Sequence, residues 1–153
     1  KTEGYEGFFH LTDMRGTVTQ AETRYIVRDH DRVLFEQKKQ LMWDVVNFLQ
    51  RKYGEKHLTL TLKDQYYNMR KMVEPHPQLI EKARRAMIEA GVKPQVKPIR
   101  GGTDGSRLSF MGLPCPNLFT GGMNFHGRYE YVSLTTMNRA MNTIINLARI
   151  WAE

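Results

Sequence analysis

The sequence predicts an α/β protein built in two parts. Three observations predict it. A strand, strand, helix, strand order runs up to Leu62, the last two-thirds of a split βαβ sandwich. A helix, strand, glycine loop, strand, glycine loop, helix order follows it, the tail of an α/β layer. Between them lies Glu74-Pro75-His76-Pro77, where proline stops helix continuation and stiffens the chain, so a boundary falls within residues 64–76.

Each element has a local reason. The run from Tyr5 to Met14 ends at Arg15-Gly16, and Thr17 to Val27 is rich in β-formers. Two such runs across a glycine turn read as a hairpin. Arg28 falls on the strand face opposite Tyr25 and Val27, so it faces out if those two line the core. Asp29 or Asp31 then caps a helix, because a carboxylate accepts free N–H groups and complements the helix dipole. Leu34, Leu41, Val45, Phe48 and Leu49 recur at helical spacing up to Tyr53, and Gly54 stops the helix. Leu58, Leu60 and Leu62 alternate with Thr59 and Thr61, the pattern of a half-buried strand.

Past the prolines, Leu79, Ala83, Met87 and Ala90 share one helical face, with Gly91 at its end. A short strand is expected at Gln95–Ile99, before Arg100-Gly101-Gly102-Thr103-Asp104-Gly105-Ser106, and another at Asn117–Thr120, before Gly121-Gly122. A last helix is expected from about Ser133 to Trp151, with Met137, Met141, Ile144 and Ala148 as its apolar stripe. The basic pairs Lys38-Lys39, Arg51-Lys52 and Arg84-Arg85 are placed on faces opposite the apolar stripes, in solvent.

Composition narrows the function classes. The 153 residues are 41% apolar and 25% charged, the balance of a globular protein. No apolar run approaches the roughly 18 residues of a membrane span. No charged n-region with an apolar h-region opens the chain, and the single cysteine, Cys115, excludes a disulfide framework and a cysteine-based zinc site. A reducing, cytoplasmic home is expected. Residues 1–70 hold twelve basic and ten acidic side chains, and residues 71–153 hold eleven and six. This surplus allows an anionic partner, but there is no helix-turn-helix, zinc-finger or RNP-like signature, so nucleic acid is not expected. The chain opens mid-pattern without an initiator Met and reads as a fragment.

The glycine loops are the places for chemistry, because sites in open α/β sheets gather at the carboxyl ends of strands. The first loop is neither a P-loop nor a dinucleotide fingerprint, and a tight turn alone also explains its glycines. His126, in Gly122-Met123-Asn124-Phe125-His126-Gly127, suits a metal ligand, an acid/base group or a surface histidine. Arg28 and Arg100, both at expected strand ends, suit bidentate clamps for a carboxylate, although each taken alone reads better as a solvated or salt-bridged surface arginine. Asp104 either caps a helix at Ser106 or orients a catalytic group.

Four runs of sequence go further. They are Tyr25-Ile26-Val27-Arg28-Asp29, Asp64-Gln65-Tyr66-Tyr67-Asn68-Met69, Lys97-Pro98-Ile99-Arg100-Gly101-Gly102-Thr103-Asp104-Gly105, and Leu113 through Gly122 with Asn124-Phe125-His126-Gly127 after it. In this order they closely resemble the tripeptide aminopeptidases of the di-zinc exopeptidase family. The resemblance implies that residues 1–66 are the later part of a βαββαβ lid domain of the dimerising type. It implies that residues 67–153 are the C-terminal part of a zinc-peptidase α/β catalytic domain. It further implies two zinc ions in the complete enzyme, with His126 as the one metal ligand in this stretch. Arg28, Arg100, Asp104 and Asn124 would face a tripeptide substrate, and the protein would be a homo-oligomer. This chain holds no H-x-D pair and no Glu-Glu pair, so the fragment is expected to be inactive alone. The competing expectation is a non-catalytic association module that pairs through an exposed edge of the lid sheet.

Overall fold

A computed structural model describes residues 3–99 and 102–153. The chain is mixed α/β and divides into two compact units, residues 1–68 with 98–102 and residues 69–97 with 103–153.

The first unit opens with the expected hairpin. Strand β1 (Phe8–Gly16) pairs antiparallel with β2 (Ala21–Arg28), in a register from Phe8 opposite Arg28 to Gly16 opposite Ala21. The ladder shifts between Leu11 and Asp13, and the Thr12 hydroxyl there donates to the Arg24 carbonyl at 3.1 Å. The reversal is not at Gly16, which stays in the strand, but at Thr17–Gln20. The Thr17 N–H donates to the Gln20 carbonyl at 2.7 Å, and its hydroxyl accepts from the Gln20 N–H at 3.2 Å. A threonine side chain that bonds the backbone three residues on makes a turn without glycine.

Helix α1 (Arg32–Tyr53) starts and stops where its end signals lie. Of the two candidate caps, Asp31 accepts from the Leu34 N–H at 2.9 Å, and Gly54 ends the helix at φ 102°. The covered face differs from the expected one. Phe35, Met42, Val46 and Leu49 are partly buried, whereas Leu34, Leu41, Val45 and Phe48 are exposed. Lys38 and Lys39 lie on the covered face, at 22% and 19% exposure, drawn there by carboxylates. The helix is apolar on two faces, and periodicity does not say which one finds a neighbour.

The expected strand at Leu58–Leu62 does not pair. A single 3-10 turn, Glu55–His57, follows α1, and the chain continues through an extended Leu58 with no ladder among the described residues. Leu58, Leu60 and Leu62 are partly buried and Thr59 and Thr61 exposed, so the alternation correctly reports facing while a strand also needs a partner. Side chains hold the segment that follows. Asp64 binds Lys39 at 3.0 Å and accepts from Tyr67 at 2.7 Å. Tyr67 meets Phe35 edge-on at 6.0 Å, and Asn68 donates to the His30 carbonyl at 3.1 Å.

The second unit contains α2 (Arg70–Val73), α3 (Pro77–Glu89), α4 (Asp104–Phe110), β3 (Gly122–Met123), β4 (Tyr131–Val132) and α5 (Leu134–Ala152). Pro77 opens α3, where its missing N–H costs nothing, and Ser133 caps α5 by accepting from the Thr136 N–H at 3.2 Å. Helices α3 and α5 pack through small residues. Ala83 and Ala86 are buried on one, and Ala140, Thr143 and Ile150 on the other. Lys82 crosses between them, donating to the Ile150 carbonyl at 3.1 Å with its ammonium 3.9 Å from the Trp151 ring centre. Here too the stripe differs from the expected one. Met137, Met141 and Ile144 are exposed along an open groove with Phe119, because close approach to the alanines of α3 selects the face of α5 with the smallest side chains.

The expected strands at Gln95–Ile99 and Asn117–Thr120 form no ladder among the described residues. The ladder lies just beyond, where Gly122 pairs with Val132 and Met123 with Tyr131. The last residues of the first glycine loop, Asp104-Gly105-Ser106, open α4, one residue earlier than a cap at Asp104 would place it.

Candidate functional site

Arg28 is the last residue of β2, as the strand pattern predicts, but it does not face open solvent. It is partly buried. One terminal nitrogen donates to the Val27 carbonyl at 3.3 Å, and the other donates to Gln65 Oε1 at 2.8 Å. Its guanidinium carbon lies 4.7 Å from the centre of the Tyr66 ring. All three partners are neutral. Arg28 makes no ion pair among the described residues, so the guanidinium is oriented while its charge stays uncompensated. An arginine so held is able to form a bidentate pair with an anion.

Arg100 lies outside the described residues. Asp104 is the first residue of α4, exposed, where a carboxylate complements the helix dipole. It does not cap the helix. Thr103 occupies that position, with its carbonyl accepting from the Ser106 N–H at 3.1 Å. Gly105 packs so closely on the Cys115 carbonyl that a Cβ would overlap it, which accounts for this glycine without a ligand. Ser109, fully buried, ties the same junction. Its hydroxyl donates to the Gly105 carbonyl at 2.7 Å and accepts from the Cys115 N–H at 2.9 Å.

Asn124 and His126 are brought together in the loop between β3 and β4. Both have left-handed backbone, at φ 56° and 61°. Non-glycine residues rarely adopt it, Asn and His among the less reluctant, and such strain collects at functional sites. The loop is held in that shape. The Gly127 N–H donates to the Asn124 carbonyl and the His126 N–H to Glu130 Oε2, both at 2.8 Å, and the Asn124 amide donates to the Tyr129 carbonyl at 3.3 Å. The Asn124 amide nitrogen is therefore engaged in the turn. His126 is exposed, and its imidazole makes no hydrogen bond or ion pair among the described residues.

Among the described residues no three His, Cys, Asp or Glu side chains converge as a metal site. One imidazole does not hold zinc, which takes at least three protein ligands. The described residues thus do not fit the metal on their own, and no catalytic step follows from them alone. The sequence reading missed Gln65, Tyr66 and Glu130, whose only signal was their place in or near the resembling runs. Among the described residues, no helix is long and apolar enough to cross a membrane.

Comparison with known proteins supplies the family. Residues 6–150 match the model of peptidase family M20/M25/M40, and the chain belongs to that family. Relatives named Peptidase T match it throughout. It is 53% identical over 153 residues to that of Clostridium perfringens strain SM101, covering all of this chain and 38% of the relative. It is 54% identical over 151 residues to that of Halothermothrix orenii and 55% over 155 to that of Parabacteroides distasonis, each covering 99% of this chain and 37% of the relative. The chain spans just over a third of the length of the curated relatives it matches.

Proposed function

We propose that this chain is the lid-plus-C-terminal portion of a cytoplasmic zinc-dependent tripeptide aminopeptidase. Residues 1–66 are the later part of the lid and residues 67–153 the end of the catalytic domain. Arg28 takes the terminal carboxylate of the peptide, and Arg100, Asp104 and Asn124 face the substrate. His126 is one ligand of a zinc centre completed by residues beyond this chain, and the isolated chain is inactive. The observation that carries the reading is Arg28, held by three neutral groups with its charge free for an anion.

The test is a chimera in which this chain replaces the stretch of Clostridium perfringens Peptidase T that it matches. The chimera should cleave tripeptides, and the isolated chain with added zinc should not. Arg28→Ala should cut kcat/KM for a free-carboxylate tripeptide about 10²-fold, roughly the 3 kcal/mol of a lost charged contact, and leave the C-terminal amide nearly unaffected. Equal losses on both substrates would overturn the assignment of Arg28.

Association through the lid is a second reading. The sheet has two strands, and the outer edge of β1 has no ladder partner among the described residues. Open edges pair with other chains. Sedimentation across a concentration range should show a homo-oligomer, and a monomer throughout would exclude this reading.

A further inference from the structure

We propose that Tyr66 is the positioning residue of Arg28, and that Gly102 is the seat that fixes Tyr66. The link from Arg28 to substrate rests on the function proposed above; the positioning does not.

The strand end alone cannot orient Arg28, whose long side chain has many rotamers. Its two hydrogen bonds fix the edge of the guanidinium, at the Val27 carbonyl and Gln65. The Tyr66 ring, 4.7 Å away, fixes the plane. The Tyr66 side chain has no hydrogen bond among the described residues to explain its position. Its hydroxyl is buried without a partner among the described residues, an unfavourable arrangement. What holds the ring is shape. Tyr66 lies against Gly102 so closely that a Cβ there would overlap the hydroxyl and the adjoining ring carbons. One ring therefore joins the strand-end arginine to the first glycine-rich loop, two residues beyond Arg100. The stack uses the ring and wastes the hydroxyl.

The test reads the stack directly. In the nuclear magnetic resonance spectrum of the 153-residue chain, the Arg28 δ-methylene protons should lie upfield of those of the other arginines, shielded by the ring. Tyr66→Phe should keep that shift, and Tyr66→Leu should abolish it. Gly102→Ala should abolish it too, by displacing the ring, with no further change in the double variant with Tyr66→Leu. An unshifted Arg28 in the wild-type chain would overturn the proposal without any variant having to fold. So would a shift that survives Tyr66→Leu. In the chimera, Tyr66→Leu should raise KM about tenfold, the 1.4 kcal/mol of a lost stacking contact, with kcat nearly unchanged, and Tyr66→Phe should restore the wild-type value. If the shift is lost while KM holds, the positioning is supported and the assignment of Arg28 to substrate is what fails.

Discussion

The Asp29 carboxylate, 2% exposed, accepts from the Lys38 ammonium at 2.7 Å and joins the end of β2 to α1 one residue beyond Arg28. It also accepts from the Asp31 N–H at 2.9 Å. Burial alone would push this carboxyl upward. The hydrogen bonds from Lys38 and Asp31, with the charges of Lys38 and His30, outweigh it and hold the group below its ordinary 3.8. A carboxylate depressed by folding contributes stability that is whole above its unfolded value and fades as pH falls through the folded one. Asp29→Asn should therefore cost about 2–3 kcal/mol at pH 7, with the gap closing in acid below the ordinary carboxylate range. Denaturant melts at both pH values check this, and an equal gap would contradict it.

Asp64 and Tyr67 make a second pH-dependent pair. The Tyr67 phenol is held above its ordinary 10.0, first by its hydrogen bond to Asp64, then by burial. Asp64 is held below its ordinary 3.8 by that bond and by Lys39. A raised phenol favours the folded state until the pH passes the unfolded value, and the benefit is lost as it rises through the folded one. Asp64→Asn should bring one tyrosine of the alkaline ultraviolet titration back toward the ordinary value. An unchanged titration curve would count against the bond.

Ser109 should be the most sensitive polar residue of the second unit. Ser109→Ala removes the acceptor of the Cys115 N–H and the donor to the Gly105 carbonyl in one step. A loss of about 1–3 kcal/mol is expected in the unfolding free energy. A neutral substitution would mean that this junction does not hold the glycine loop.

Helix ends were legible because their signals are local. Asp31, Gly54, Pro77, Gly91 and Ser133 each mark a boundary through the chemistry of one residue. Coverage was not legible. Helices α1 and α5 carry apolar residues on two faces, and in each case the neighbouring element chose the face the pattern did not favour. Lys38 and Lys39 look like solvent residues until Asp29 and Asp64 reach them from other segments. The leucines of 58–62 declare an alternation, but a ladder depends on a partner that no local pattern names. The same holds for the site. Arg28 and His126 stood out by residue type and place, whereas the Tyr66 ring beneath the guanidinium and the Glu130 carboxylate behind His126 are products of folding alone.

The reading of this chain as the closing part of a zinc peptidase turns most directly on His126. The measurement is bound zinc per chain in the chimera with and without His126→Ala, beside turnover of one tripeptide. Loss of a metal ligand should lower zinc content and turnover together, the latter by about 10²-fold or more. His126→Ala with its full zinc and full turnover would contradict the claim.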